Sequence, residues 1–202
     1  MNYLINYITK TCIRHQIISS NQVAWFKYGL EKRISSVFVS FPFFLLAVVL
    51  SNLHVAFSFF LCFYIIRSKA NGYHAKSFWG CFFLSLMHVT IFVGVLYRLL
   101  NIFTLNIIAI VGTILISRLA PFNSKEMHLS KSESLCCRRS SRKRSFCILL
   151  LGFSLQTLGQ SAITKGLFLG IAMAAYLLCL AYYINWRKKN ENHPREHQEH
   201  CT

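Results

Sequence analysis

From Ile34 to Ile66 the chain runs 33 residues without a lysine, arginine, aspartate or glutamate. As one helix at 1.5 Å per residue that run would be about 50 Å long, well beyond the roughly 30 Å hydrocarbon core of a bilayer. One straight membrane helix overshoots. Ser51-Asn52 near the middle is the natural turn, which divides the run into two spans, Ile34 to Leu50 and Leu53 to Ile66, the second short enough to be re-entrant. Phe78 to Tyr97 and Leu99 to Ser117 follow as a hairpin, parted by Arg98 with polar Asn101 close by. Phe146 to Ile163 and Gly166 to Trp186 form a last pair divided by Lys165. The expected fold is all-α: a polytopic membrane helical bundle of about six spans, or four full spans with two short or re-entrant ones.

The charges agree with a bilayer protein. Lysine and arginine number 22 against six glutamates and no aspartate, a formal charge of +16. Such an excess often marks nucleic-acid binding, but that needs cations interleaved with aromatics on a soluble face. Here most of the 18 phenylalanines lie inside the apolar runs and the cations lie between them, so no nucleic-acid partner is expected and the partner is the lipid bilayer. Twenty of the 22 basic residues fall before the first span, between the second and third, between the fourth and fifth, or after the sixth; only Arg98 and Lys165 fall on the other side. Cytoplasmic loops are the ones enriched in lysine and arginine, so both termini and both charged loops are expected in the cytoplasm.

Residues 1–33 have no cleavable signal-peptide pattern and are expected to remain as an amphipathic interfacial or plain cytoplasmic segment. Residues 34–186 then form a single membrane-embedded domain, and 187–202 a polar cytoplasmic tail. Thiols on the cytoplasmic side stay reduced, so no structural disulfide is expected among the eight cysteines.

The absence of aspartate removes aspartic-protease dyads and true Ser/His/Asp triads, and no glutamate lies inside a long apolar run. Spans without acids or bases also argue against an ion-coupled transporter. Within the spans only His54 and His88 titrate, cysteines aside, and a neutral imidazole bonded to a neighbouring helix accounts for each. The stretch from Arg67 to Cys81 (Arg-Ser-Lys-Ala-Asn-Gly-Tyr-His-Ala-Lys-Ser-Phe-Trp-Gly-Cys) is different. It holds one histidine, His74, and one cysteine, Cys81, at a membrane edge.

A Cys/His pair performs nucleophilic catalysis because the thiolate attacks and the imidazole takes the thiol proton. At a reference thiol pKa near 8.5 only a few per cent is ionised at neutral pH. Imidazolium and nearby cations lower that value, whereas burial in lipid raises it, so a reactive Cys81 needs the interface or a wet cleft. Seven residues of unbroken helix would return to nearly the same face but rise about 10.5 Å. Contact between the pair therefore predicts a bend or a helix start between them, with Gly72 and Gly80 supplying backbone freedom. On spacing alone a span-edge histidine and a packed cysteine explain the same residues.

The same run resembles the signature of the accessory gene regulator B (AgrB) family of bacterial membrane cysteine endopeptidases that process quorum-sensing propeptides. The pattern is an arginine, then Gly-Gly-Tyr-His-Ala-Lys, then a cysteine seven residues after the histidine. This chain has Arg67, Asn71-Gly72-Tyr73-His74-Ala75-Lys76 and Cys81, and Leu119-Ala120-Pro121 resembles the family's Ala-Pro loop. Asn71 replaces the first glycine, a change that left-handed backbone tolerates. Phe122-Asn123 stands where an acid is usual, which leaves that loop without an assigned acid.

The resemblance implies Cys81 as nucleophile, His74 as general base, and Arg67 and Gly72 as supporting or substrate-binding positions. It implies no metal and no cofactor. The substrate would be a short amphipathic propeptide, cut through a thioester and closed to a thiolactone or lactone, at the bacterial cell membrane. The alternative is a non-catalytic peptide exporter or membrane scaffold.

Three further features have plain readings. Gly166, Gly170 and Ala174 form a small-residue ridge for close helix packing within the chain, or alternatively in a homodimer. His193, His197, His200 and Cys201 have metal-like spacing but read as a solvated tail. Cys136-Cys137 with Arg138-Arg139 and Arg142-Lys143-Arg144 reads as part of a flexible cytoplasmic loop.

Overall fold

The computed structural model describes residues 2–14, 23–70, 78–122 and 130–199; among these, nothing is said of the side chains of residues 2–5, 24–25, 28–39, 78, 81, 188–189 and 191–199. All regular structure among the described residues is helical: α1 (Asn2–Arg14), α2 (Val23–Leu50), α3 (Leu53–Ala70), α4, α5 (Ile102–Leu119), α6 (Lys131–Thr157) and α7 (Ser161–Glu199). α4 occupies residues 78–99 and is α-helical over Phe78–Val89, π-helical over Thr90–Leu96 and α-helical again at Tyr97–Leu99. The chain divides into two compact units, Met1–Leu45 and Leu46–Thr202. The first contains α1 and most of α2. The account below concerns the second.

Among the described residues four helices are long and apolar enough to cross a bilayer: Leu53–Ala70, Phe82–Leu99, Ile102–Leu119 and Ser161–Arg187. Four full spans with shorter apolar stretches beside them are one of the two arrangements expected; six are not shown among the described residues. The other two anticipated spans are not shown at full length among the described residues. The apolar part of α2 that is described, Ser40–Leu50, is a shorter helix. In α6 the cations reach Arg144, so its uncharged portion, residues 145–157, is only about 20 Å long at 1.5 Å per residue.

Helix boundaries follow local chemistry. Asn52 caps α3, its Oδ1 accepting from the Val55 amide at 2.9 Å, and Asn101 caps α5 by accepting from the Thr104 amide at 2.8 Å. The turn expected at Ser51-Asn52 is where the sequence places it; the break expected at Arg98 falls slightly later, at Leu100-Asn101, with Arg98 still helical. The last pair of helices differs. The break lies at Leu158–Gln160, where Gly159 takes a positive φ of 76° that side-chain-bearing residues resist. Lys165 sits inside α7, with its Nζ 5.3 Å from the centre of the Tyr97 ring. A lysine with a long apolar stem and an aromatic partner need not end a helix.

α7 is the central helix, packed most extensively on α3 and then on α5 and α6. From α3, Val55, Ala56, Phe59, Cys62 and Ile66 are fully buried, at helical spacing; from α7, Phe168, Leu169, Ile171 and Leu178 are. Lipid is as apolar as leucine, so close approach and dispersion hold such helices together. A Cβ on Gly166 would lie 2.0 Å from Ser58 Oγ and 2.6 Å from Val55 O, and one on Gly170 would lie 2.9 Å from Phe59 O. The small-residue ridge thus seats α7 against α3 within the chain.

The two ends of this unit differ chemically. At one end Arg98 donates to Leu50 O at 3.1 Å and Asn52 Nδ2 donates to Tyr97 Oη at 3.4 Å, beside Lys165. At the other lie the C-terminal ends of α3 and α5 and the basic half of α6. Arg98 and Lys165, the two cations set apart by the sequence, share the first end.

Candidate active site

Arg67 lies in the last turn of α3, and that helix end is held from two sides. Its final carbonyls have no partner within the helix. Arg144 of α6 grips the turn just before them: Nη1 donates to Ile65 O at 2.9 Å and to Ser68 Oγ at 2.7 Å. The Phe122 amide donates to Ala70 O at 3.1 Å. The end of α5 is treated alike, with Arg138 donating to Arg118 O and Arg142 to Ser117 O, both at 3.5 Å. A guanidinium at a helix C-terminus also meets the negative end of the helix dipole.

The Leu119-Ala120-Pro121-Phe122 segment, which includes a cis Ala120–Pro121 bond, joins the two helix ends. Tyr182 of α7 donates its hydroxyl to Leu119 O at 2.8 Å, and its ring meets that of Phe122 edge-on at 5.1 Å. The segment that resembles the Ala-Pro loop is therefore docked against the last residue of α3 before Asn71. The sequence reads Arg138, Arg142 and Arg144 as loop cations rather than helix anchors, and does not single out Tyr182. A run of arginines entering an apolar helix was the available signal, since such side chains can reach neighbouring carbonyls.

Of the other predicted site residues, Gly72 and His74 lie outside the described residues, and so does any bend before Ser77. The described part of α4 begins at Phe78, and Cys81 is its fourth residue. Around it on the helix, the rings of Trp79, Phe82 and Phe83 lie 5.8 to 6.2 Å apart, and Trp79 and Phe83 are mostly exposed. α4 ends at Leu99 beside Arg98 and Tyr97, so about 27 Å of helix, at 1.5 Å per residue, separates Cys81 from that end. Cys81 thus lies near the opposite end of α4 from Arg98.

A family model described as Accessory gene regulator B matches residues 1–181. The chain belongs to the accessory gene regulator B family. No curated protein and no solved structure matches it. AgrB membership implies involvement in processing the agr quorum-sensing autoinducer, with a propeptide as substrate. With four apolar helices of membrane-crossing length among the described residues, this AgrB-family chain is a membrane protein.

The remaining side chains singled out by the sequence are placed as follows. His88 is buried, and its Nδ1 pairs with Leu84 O of its own helix rather than with a neighbouring one, while its ring lies 5.2 Å from that of Tyr176 on α7. His54 is exposed in the first turns of α3. Cys12, Cys62, Cys136, Cys137, Cys147 and Cys179 are free thiols. No group of three His, Cys, Asp or Glu side chains gathers as metal ligands among the described residues. His200 and Cys201 lie outside those residues, as do the side chains of His193 and His197. Cys136 and Cys137 lie on α6, not in a flexible loop. Ser130 and Glu133 start that helix with a capping box, a signal legible in Ser-Lys-Ser-Glu.

Proposed function

We propose that this AgrB-family protein is a multi-pass cysteine endopeptidase of the bacterial cell membrane. It removes the C-terminal part of a quorum-sensing propeptide and supports closure of the remainder to a thiolactone or lactone. The observation that carries the reading is the motif Arg67…Asn71-Gly72-Tyr73-His74-Ala75-Lys76…Cys81, which falls inside the segment matched by the family. Both termini and the basic end of the bundle face the cytoplasm in this reading, because cations concentrate there.

His74 takes the Cys81 thiol proton, and the thiolate adds to the carbonyl of the scissile bond. The tetrahedral oxyanion collapses with loss of the amine, which receives a proton from His74, and a thioester joins the peptide to Cys81. A thiol or hydroxyl within the peptide then attacks the thioester, closing the ring and releasing the Cys81 sulfur. Exchange of one thioester for another is nearly balanced in free energy, and a site that excludes water favours it over hydrolysis. Arg67 and Gly72 support this centre, Arg67 by pairing with an acidic peptide segment or with the thiolate.

Replacing Cys81 or His74 by alanine abolishes propeptide cleavage in membranes while leaving the protein inserted. A non-catalytic exporter or scaffold would lose no cleavage with either change.

A further inference from the structure

α6 carries six basic residues between Lys131 and Arg144, and the structure divides their work. Arg138, Arg142 and Arg144 donate to carbonyls at the ends of α5 and α3. Arg139 and Lys143 do not. Both are exposed, and neither has a hydrogen-bond or ion-pair partner among the described residues. At 100° per residue Arg139, Lys143, Phe146 and Leu150 fall within a sector of about 60°. The buried residues Ser141, Ser145, Ile148 and Gly152 mark the opposite side of the helix. Phe146 and Leu150 are 54% and 51% exposed, so apolar surface continues directly from the two cations along one outward stripe.

We propose that this stripe of α6 is a binding site for an anionic phospholipid, with the phosphate at Arg139 and Lys143 and an acyl chain along Phe146 and Leu150. Three observations select that occupant. Two cations one turn apart match one phosphate, the arginine as a planar donor fork and the lysine as a point charge. The apolar continuation lies on a helix packed among candidate membrane spans, where a chain of methylenes is the available partner. The stripe also lies opposite the buried side of α6 and is exposed, so a lipid reaches it without displacing α3, α5 or α7. A soluble acidic peptide would satisfy the charges and leave Phe146 and Leu150 unmatched. Arg139 and Lys143 lie outside the proposed peptidase centre, and the lipid site stands or falls independently of that reading.

The test uses the purified full chain in neutral detergent and native mass spectrometry, with phosphatidylglycerol, phosphatidylcholine and glycerol phosphate as probes. The wild-type protein retains phosphatidylglycerol in preference to phosphatidylcholine, and glycerol phosphate does not displace it. The pair R139Q/K143Q weakens phosphatidylglycerol binding by about tenfold or more, on a contribution near 1 kcal/mol per cation at an anionic membrane, and leaves phosphatidylcholine unchanged. Because neutralisation can also act through folding, Phe146→Ser is the second variant: with both cations intact, it weakens phosphatidylglycerol binding without abolishing the preference for it. Equal retention of both lipids by the wild type would overturn the proposal. So would unchanged phosphatidylglycerol binding in R139Q/K143Q, or displacement by glycerol phosphate or by an acidic peptide.

Discussion

Gly166→Ala is the sharpest perturbation of the bundle, because a single methyl group must enter the contact between α3 and α7. Its Cβ would stand 2.0 Å from Ser58 Oγ and 2.6 Å from Val55 O, where ordinary contact begins near 3.4 Å. Ser58 can turn its hydroxyl aside; the Val55 carbonyl belongs to a helix and cannot. The two helices must therefore part locally by about 0.8 Å, given the 3.4 Å contact limit. A gap of about 0.5–1 Å forfeits a quarter to a half of the dispersion well for each facing pair. Overpacking of this kind costs about 1–3 kcal/mol. Helices already form in the membrane-bound unfolded state, so the better helix propensity of alanine returns little.

For a chain of this size each kcal/mol moves the melting temperature by about 2–4 °C, so a cost near 2 kcal/mol lowers it by about 4–8 °C. The assay is thermal unfolding in detergent with a thiol-reactive dye. Cys62 is fully buried against the same helix, its Sγ donating to Leu167 O at 3.3 Å, and its labelling reports the parting of α3 from α7. Gly94→Ala is the control, since its Cβ would meet only the Leu50 side chain, at 3.3 Å. A Gly166→Ala protein that melts with the wild type, its Cys62 equally protected, would refute the packing argument.

Two further outcomes follow from the arginine-rich end. Arg144→Gln loses the charge-assisted bonds to Ile65 O and Ser68 Oγ and lowers stability by about 1–2 kcal/mol, read as faster hydrogen exchange over the last turn of α3; Ser68→Ala has the smaller effect, because Ile65 O keeps its guanidinium. Glu133 accepts from the Ser130 amide at 2.9 Å and from its hydroxyl at 2.8 Å, which holds the Glu133 carboxyl below the usual carboxylate range. A group whose folded pKa is lowered stabilises the fold above its unfolded pKa, and that contribution is lost as pH falls through the folded value. Exchange of the first-turn amides of α6, corrected for intrinsic rates, therefore accelerates on acidification in the wild type. It varies much less with pH in Glu133→Gln.

The parts of the fold legible in the sequence are those where one kind of residue decides. Uncharged length marks α3, α4 and α5, and the asparagines at 52 and 101 mark where two of them begin. The α6–α7 break falls at Gly159 and not at Lys165, because the apolar residues on both sides look alike and Lys165 is the only cation nearby. The decisive residue is Gly159, and its meaning depends on a backbone angle. The basic stretch before Phe146 reads as a loop by charge alone, whereas Ser130 and Glu133 start a helix there and three arginines anchor it to its neighbours. The π-helical turn over Thr90–Leu96 leaves no mark in the sequence pattern. In the candidate site, Arg67, His74 and Cys81 stand out as residue types in a motif. Arg144 and Tyr182 do not, because they act through backbone carbonyls that any residue could supply.

The claim that Cys81 carries the reacting peptide is tested most directly by intact-mass measurement of the membrane protein after brief incubation with its propeptide and acid quenching. The account predicts an adduct equal in mass to the N-terminal part of the peptide, localised to Cys81, released by neutral hydroxylamine and absent from Cys81→Ala. Cleavage that proceeds in Cys81→Ala, or an adduct on any other cysteine, would contradict it.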